Sequence, residues 1–369
     1  MAEESLEELG VLAGTAGATV VQSVLQLRDS RDSATVLGPG KVEELAAAVR
    51  AESADVVIFD TDLTPTQQRN LEKALDTKVL DRTQLILDIF AHRARTREGQ
   101  LQVELAQLNY LLPRLSGQGI ALSRLGGGIG TRGPGETKLE SDRRRIGDRI
   151  AKIKRDIETV RKGRTIQRRQ RQGVPLATVS LVGYTNAGKS TLFNRLTQAH
   201  VTADARMFAT LDPTVRHVVL PSRRKILFSD TVGFIRKLPT TLVDAFRATL
   251  EEVIEAKLLL HVVDASSPHL PVLMAHVRRV LHEIDAAEKP QLLVLNKADL
   301  LAAPPPAMDV PHVLVSAHTG AGIDELLGMI DQMLPLDPVA PATFRVPAAD
   351  GATLHLIHER ARVLTQRIE

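Results

Sequence analysis

A chain of 369 residues is longer than one hydrophobic core usually serves, so two or three domains are expected. Its 43% of apolar residues suffices for such cores, no run of about eighteen apolar residues is present to cross a bilayer, and the lack of cysteine excludes disulfides, thiolate metal sites and cysteine nucleophiles. The formal net charge of +3 is small, but thirteen Lys/Arg against three acidic residues between Arg143 and Arg171 leave a local excess of ten.

The opening "MAEESLEELG" lacks the basic-then-apolar layout of a signal peptide, so a soluble, cytoplasmic protein without membrane insertion is expected. Residues 1–98 then alternate short β-branched runs with helical patterns. "ATVVQSVLQL" (Ala18 to Leu27) and "ADVVIFD" (Ala54 to Asp60) read as strands, "KVEELAAAVRAE" and "PTQQRNLEKALD" as helices. The result is a small parallel α/β domain. The turn "LGPGK" at Leu37 to Lys41 lacks full phosphate-loop spacing and reads as an ordinary strand-to-helix turn, although it could hold an anion.

A different period rules residues 99–172. Leu101, Leu105, Leu108 and Leu112 repeat at steps of four, three and four, and Ile146, Ile150, Ile153, Ile157 and Val160 continue the rhythm further on. Two helices with facing apolar seams make an antiparallel hairpin. Between them, residues 124–140 ("RLGGGIGTRGPGETKLE") carry six glycines and a proline, which exclude helix and strand. Thr137 and Glu140 offer a capping box for the second helix. A plain connector between adjacent helices needs only about 2 to 8 residues, so this longer loop, with Arg124, Arg132 and Lys138, reads as functional.

Residues 173–337 resume the strand-helix alternation. "ATVSLVG", "KILFSDTVG", "LLLHVVDAS", "QLLVLNKAD" and "HVLVSAHTG" are five buried-strand patterns, each ending in polar or glycine residues. That layout is a doubly wound sheet. Gly183-x-x-x-x-Gly188-Lys189-Ser190 follows the first strand and precedes the helical "TLFNRL", the context a phosphate loop requires. Backbone N–H groups would wrap the phosphates, Lys189 would reach the β- and γ-phosphates, and the Ser190 hydroxyl would ligate Mg²⁺.

Three further segments complete the reading. "DTVG" (Asp230 to Gly233) places an aspartate to hold the metal through water and the Gly233 N–H to meet the γ-phosphate. "NKAD" (Asn296 to Asp299) ends in an aspartate that accepts from guanine N1–H and the 2-amino group, which adenine cannot match, and "SAHTG" from Ser316 supports the base from the other side. GTP is the expected nucleotide. In "FATLDPT" (Phe208 to Thr214), Thr210 and Thr214 each offer a hydroxyl to complete the Mg²⁺ shell, and Thr210 is the one expected to do so. Many regulatory GTPases carry a water-orienting glutamine just after the "DTVG" position; Phe234 stands there and can neither donate nor accept, so hydrolysis should be slow until a partner completes the site.

"GYTNAGKSTLFN", "FATLDPT", "DTVGFI", "NKAD" and above all "GGGIGTRGPGETKLESDRRRI" resemble the HflX family of translational GTPases across nearly the whole chain. The resemblance implies a GTPase that binds the large ribosomal subunit, with members implicated in splitting stalled ribosomes. It carries nucleotide contacts onto Gly183, Tyr184, Thr185, Asn186, Ala187, Gly188, Lys189, Ser190 and Thr191, and onto Phe208, Ala209, Thr210, Leu211 and Asp212. Further contacts fall on Asp230, Thr231, Val232, Gly233, Asn296, Lys297, Asp299, Ser316, Ala317 and His318, with Mg²⁺ at Ser190 and Thr210 and the catalytic roles at Lys189, Thr210 and Gly233. Asn186 also resembles the asparagine of potassium-activated GTPases, where it helps hold K⁺; the alternative is an asparagine that merely tolerates the tight loop.

The basic helix and glycine loop suit an RNA phosphate surface read by shape, and 3% aromatics argue against single-strand stacking. A second reading is a GTPase whose hairpin binds another RNA or a protein, as a subunit-assembly factor would. Residues 338–369 form a tail with an amphipathic pattern at Leu354, Ile357, Ala361, Leu364 and Ile368, and a monomer is expected.

Overall fold

The computed structural model describes residues 2–27, 30–117, 138–171, 176–197, 207–208, 214–236, 250–301, 303, 305, 308–334, 342–347, 350–360 and 363–367. Met1–Leu334 forms one compact unit and Pro335–Glu369 another. The second contains a helix at Gly351–Arg360, opened by Asp350, whose carboxylate accepts from the backbone N–H and the hydroxyl of Thr353. No helix among the described residues is long and apolar enough to cross a membrane.

The chain begins with α1 (Ala2–Thr15), then α2 (Pro39–Glu52), β1 (Val56–Phe59), α3 (Pro65–Leu75), β2 (Lys78–Asp81), α4 (Arg82–Arg93) and α5 (Arg97–Leu111). Local chemistry sets these boundaries. Thr64 and Gln67 close a reciprocal capping box at the start of α3 with Pro65 in its first turn, while Asp81 and Thr96 accept the Gln84 and Gly99 N–H groups to open α4 and α5. β1 and β2 pair in parallel, Val56 beside Lys78 through Phe59 beside Asp81, and cover a small core of Val42, Ala46, Leu71 and Leu75.

The expected strand over Ala18 to Leu27 is a correction. The segment lies outside any β-ladder and exposes Val21 and Leu27, at 57% and 81%. Its residues 20–26 and β1 instead line a shared cavity of about 1230 Å³, together with parts of α1 and α2 and residues 231–236. Composition favours extended backbone, but pairing needs a partner edge within hydrogen-bond reach.

The hairpin follows the predicted seam. α6 (Lys138–Arg171) packs on α5, with Leu101, Leu105 and Leu108 meeting Ile153 and Ile157, and Arg149 forms a two-pronged pair with Glu104 at 2.7 and 2.8 Å. The glycine-rich loop up to Thr137 lies outside the described residues, as do the side chains from 161 to 175.

The remaining elements are β3 (Thr178–Val182), α7 (Lys189–Thr197), β4 (Thr214–Val219), β5 (Lys225–Asp230), β6 (Leu258–Asp264), α8 (Leu270–Glu283), β7 (Gln291–Asn296), β8 (His312–Leu314) and α9 (Ile323–Met333), with residues 250–255 also helical. They form one sheet in the order β4-β5-β3-β6-β7-β8, all parallel except the edge strand β4. α7 and α9 bury Leu192, Phe193, Leu326 and Ile330 on one face; α8 and residues 250–255 bury Val277, Leu281 and Val253 on the other. The five expected strands are all present in a doubly wound sheet. Order reverses beside β3, so its carboxyl end opens onto the crevice where such folds place ligands.

Candidate functional site

The loop from Gly183 to Gly188 leaves β3 at that crevice, and steric need explains both glycines. Gly183 sits at φ +151°, where an added Cβ would come within 2.2 Å of Val262 O; Gly188 sits at φ +90° and would meet Asn296 Nδ2 at 2.2 Å. Asn186 adopts a left-handed φ of 62°, which asparagine tolerates better than most residues.

At the end of this loop Lys189 is buried, and Nζ donates to Gly183 O at 3.1 Å and Tyr184 O at 2.7 Å. Burial lowers its ammonium pKa to about 8, with nearby Asp230 opposing the shift. Next along α7, the Ser190 hydroxyl donates to Asp230 Oδ2 at 2.8 Å. A hydroxyl and a carboxylate side by side offer the hard oxygen donors that suit Mg²⁺.

Asp230 ends β5, and the residues after it fold back on the loop. Thr185 N donates to Phe234 O at 2.8 Å, and Phe234 N donates to Gly183 O at 3.0 Å. Gly233 is held so close that an added Cβ would lie 2.8 Å from Thr185 Cγ2 and 2.9 Å from Lys189 Nζ. Thr231 anchors itself to Leu181 O at 2.5 Å, and Val232 and Phe234 are buried.

The opposite end of the crevice is built from β7 and the loop after β8. Asn296 is buried and bridges two segments, donating from Nδ2 to Ala187 O at 2.9 Å and accepting the Ala317 N–H at 3.0 Å. Ser316 Oγ donates to Asp299 Oδ1 at 2.5 Å, a bond that holds the Asp299 carboxyl below the usual range. Lys297 takes a left-handed φ of 65° and pairs with Asp264 at 2.6 Å. Loop residues Gly183 to Ser190 and Thr191, the segment Asp230 to Gly233, and the group Asn296, Lys297, Asp299, Ser316, Ala317 and His318 thus come together. Phe208 is described and buried, whereas Ala209, Thr210, Leu211 and Asp212 lie outside the described residues.

Sequence reasoning missed a contact network that the N-terminal elements lay across this site. Tyr184 donates its hydroxyl to Glu8 and accepts the Arg236 N–H at 2.9 Å, and its phenol pKa is raised, first by burial and next by Glu8. Arg82, 1% exposed, pairs with Glu8 at 2.5 Å and Asp60 at 2.6 Å and donates to Arg236 O at 3.2 Å. Arg236 pairs with Glu4 at 2.9 Å, Met207 N donates to Thr15 Oγ1 at 3.3 Å, and Phe90 meets Phe208 edge-on at 4.5 Å. One face of α1, through Glu4, Glu8 and Thr15, therefore touches three loops of the crevice. Its acidic spacing of four residues was the available signal.

Comparison with known proteins adds three matches to family models: GTP-binding GTPase N-terminal over residues 3–91, GTP-binding GTPase Middle Region over 93–171, and 50S ribosome-binding GTPase over 178–297. The GTPase HflX of Caldanaerobacter subterraneus subsp. tengcongensis is 50% identical over 364 residues, covering 99% of this chain and 85% of the relative. That of Escherichia coli K12 is 48% identical over 354 residues, covering 94% and 83%. Among solved structures, SsGBP in complex with GDP aligns at a TM-score of 0.50 and 26% identity, over 90% of this chain and 96% of that one.

Proposed function

Because this chain belongs to the HflX family of GTPases, we propose that it is a GTP-hydrolysing switch that binds the large ribosomal subunit and acts on translation by splitting or rescuing stalled ribosomes. The crevice supports a guanine nucleotide with its phosphates along Gly183 to Ser190 and its base between Asp299 and the Ser316 to His318 loop. Lys189 would neutralise the β- and γ-phosphates and the Gly233 N–H would meet the γ-phosphate, while Ser190, whose hydroxyl donates to Asp230, would hold Mg²⁺ with Thr210 as its expected second ligand. When bound, Mg²⁺ draws off the charge that develops on the phosphate oxygens. Asn186, at the loop's left-handed turn, would help hold K⁺ beside the phosphates, and the ion would add a second positive charge there.

Phe234 carries the partner-dependence of this reading. It is 5% exposed, both of its backbone polar groups are tied to the phosphate loop, and its side chain has no atom with which to orient water. Phe234 therefore leaves that task to another group, which this reading assigns to a partner. The description of the family matched over residues 178–297 and the basic α6 point to ribosomal RNA. Cosedimentation with purified large subunits across a salt series tests this. Binding whose logarithm falls linearly with log salt, with a shallower slope when Arg143, Arg144 and Arg145 are neutralised together, is expected. No cosedimentation in any nucleotide state would sink it.

A further inference from the structure

The loop after β8 contains a donor that no bond among the described residues consumes. From Ser316 to Ala321 the backbone N–H groups are placed as follows: Ser316 donates to Ala321 O, Ala317 to Asn296 Oδ1, Thr319 to Ser316 Oγ, Gly320 to Ser316 O and Ala321 to Thr319 Oγ1. Among the described residues, the His318 N–H has no acceptor. Its direction is nevertheless fixed from the far side. A trans peptide is planar, with C=O and N–H pointing oppositely, so whatever holds Ala317 O also aims the His318 N–H.

What holds Ala317 O is Arg195, six residues beyond Lys189 on α7. Its Nε donates to Ala317 O at 3.2 Å, its Nη2 donates to His318 O, and the guanidinium lies flat beside Gly320, where an added Cβ would be 3.7 Å from Cζ. The planar fork matches two successive carbonyls, a geometry that a lysine ammonium reproduces only in part. No acidic partner competes for it among the described residues, since both of its bonds go to this loop.

We propose that Arg195 is a positioning residue for base selection, which aims the His318 N–H at the O6 acceptor of guanine while Asp299 reads the opposite N1–H and 2-amino edge. The inference rests on the guanine reading of Asp299 given above. It divides recognition between two separately supported groups: Ser316 steadies Asp299, and Arg195 steadies the His318 donor. It also places both ends of the nucleotide on one helix, because α7 carries Lys189 and Ser190 at its start and Arg195 near its end.

Equilibrium binding of GDP, IDP and 6-thio-GDP to the full chain separates these parts. IDP lacks the 2-amino group but keeps O6; 6-thio-GDP keeps N1–H and the 2-amino group but replaces O6 with a poorer acceptor. Arg195→Met should weaken GDP and IDP about five- to tenfold, the scale of one lost hydrogen bond, and 6-thio-GDP by less than about twofold. The GDP to IDP ratio should stay fixed while the GDP to 6-thio-GDP ratio shrinks, and Arg195→Lys should recover part of the difference. Equal weakening of all three nucleotides in both variants, or no change in GDP, would overturn the inference, since Arg195 would then be a general prop or idle. If the unsubstituted chain binds ADP as well as GDP, the guanine reading itself fails, and that is seen before any variant is made.

Discussion

Replacing Arg82 with methionine tests whether the contacts between the N-terminal elements and the crevice are held by buried charge. Arg82 is 1% exposed and joins Glu8 at 2.5 Å to Asp60 at 2.6 Å, with the Ser5 hydroxyl also on Asp60 at 2.5 Å. Methionine fills much of the same volume but removes the guanidinium that Glu8 and Asp60 share. Removing one member of a buried charge cluster typically costs about 3 to 5 kcal/mol, most of it the penalty of the stranded charge. For a unit of this size that corresponds to a fall of roughly 6 to 20 °C in the unfolding midpoint, at about 2 to 4 °C per kcal/mol. Thermal unfolding at neutral pH and low salt reads it. The same account requires that Arg82→Met combined with Glu8→Gln and Asp60→Asn regain most of the loss, because no charge is then stranded. An unchanged midpoint in the single variant, or a triple variant as unstable as the single, would refute the reasoning.

Two other outcomes follow from particular residues. If Asn186 holds K⁺, turnover in KCl should exceed that in NaCl at equal ionic strength, and Asn186→Ala should erase the difference; identical rates in the unsubstituted chain would remove K⁺ from the account. His261, 3% exposed on β6, has its pKa lowered to about 4 by burial first and by Arg278 and Lys189 next. The unfolded chain, with an ordinary histidine near 6.5, therefore binds the extra proton. Stability from this group is complete above that value and is lost as pH falls from about 6.5 to about 4, by up to roughly 3 kcal/mol. His261→Leu should lose less stability over that window than the unsubstituted chain, and parallel acid-denaturation curves would contradict the assignment.

The sheet of the third region was legible because β3, β5, β6 and β7 are largely buried and read as continuous apolar runs that end where polar residues begin, while the short edge strand β8, exposed at His312 and Leu314, was carried by the apolar run of its sequence. β4 escaped notice for the converse reason. It is an edge strand with Arg216 and His217 exposed, so its sequence shows neither a continuous run nor clean alternation. β2 is four residues long, too short to stand out from the turn before it. The phosphate loop and its glycines were visible because backbone geometry there tolerates few alternatives. By contrast, the partners of Tyr184 and Arg236 on α1 lie 176 and 232 residues away, and no local pattern records them. Ala18 to Leu27 shows the opposite error, since strand-forming composition was present without pairing.

The central claim, that this GTPase is completed by the large ribosomal subunit, is tested most directly by steady-state GTP hydrolysis by the full chain with and without purified large subunits at low salt. With Phe234 unable to orient water, turnover alone should be slow, and subunits should raise it by about 10³-fold or more, the scale reached when a partner completes a GTPase site. Deleting residues 126–135 should abolish that rise while leaving the slow basal rate intact. Equal turnover with and without subunits would contradict the account.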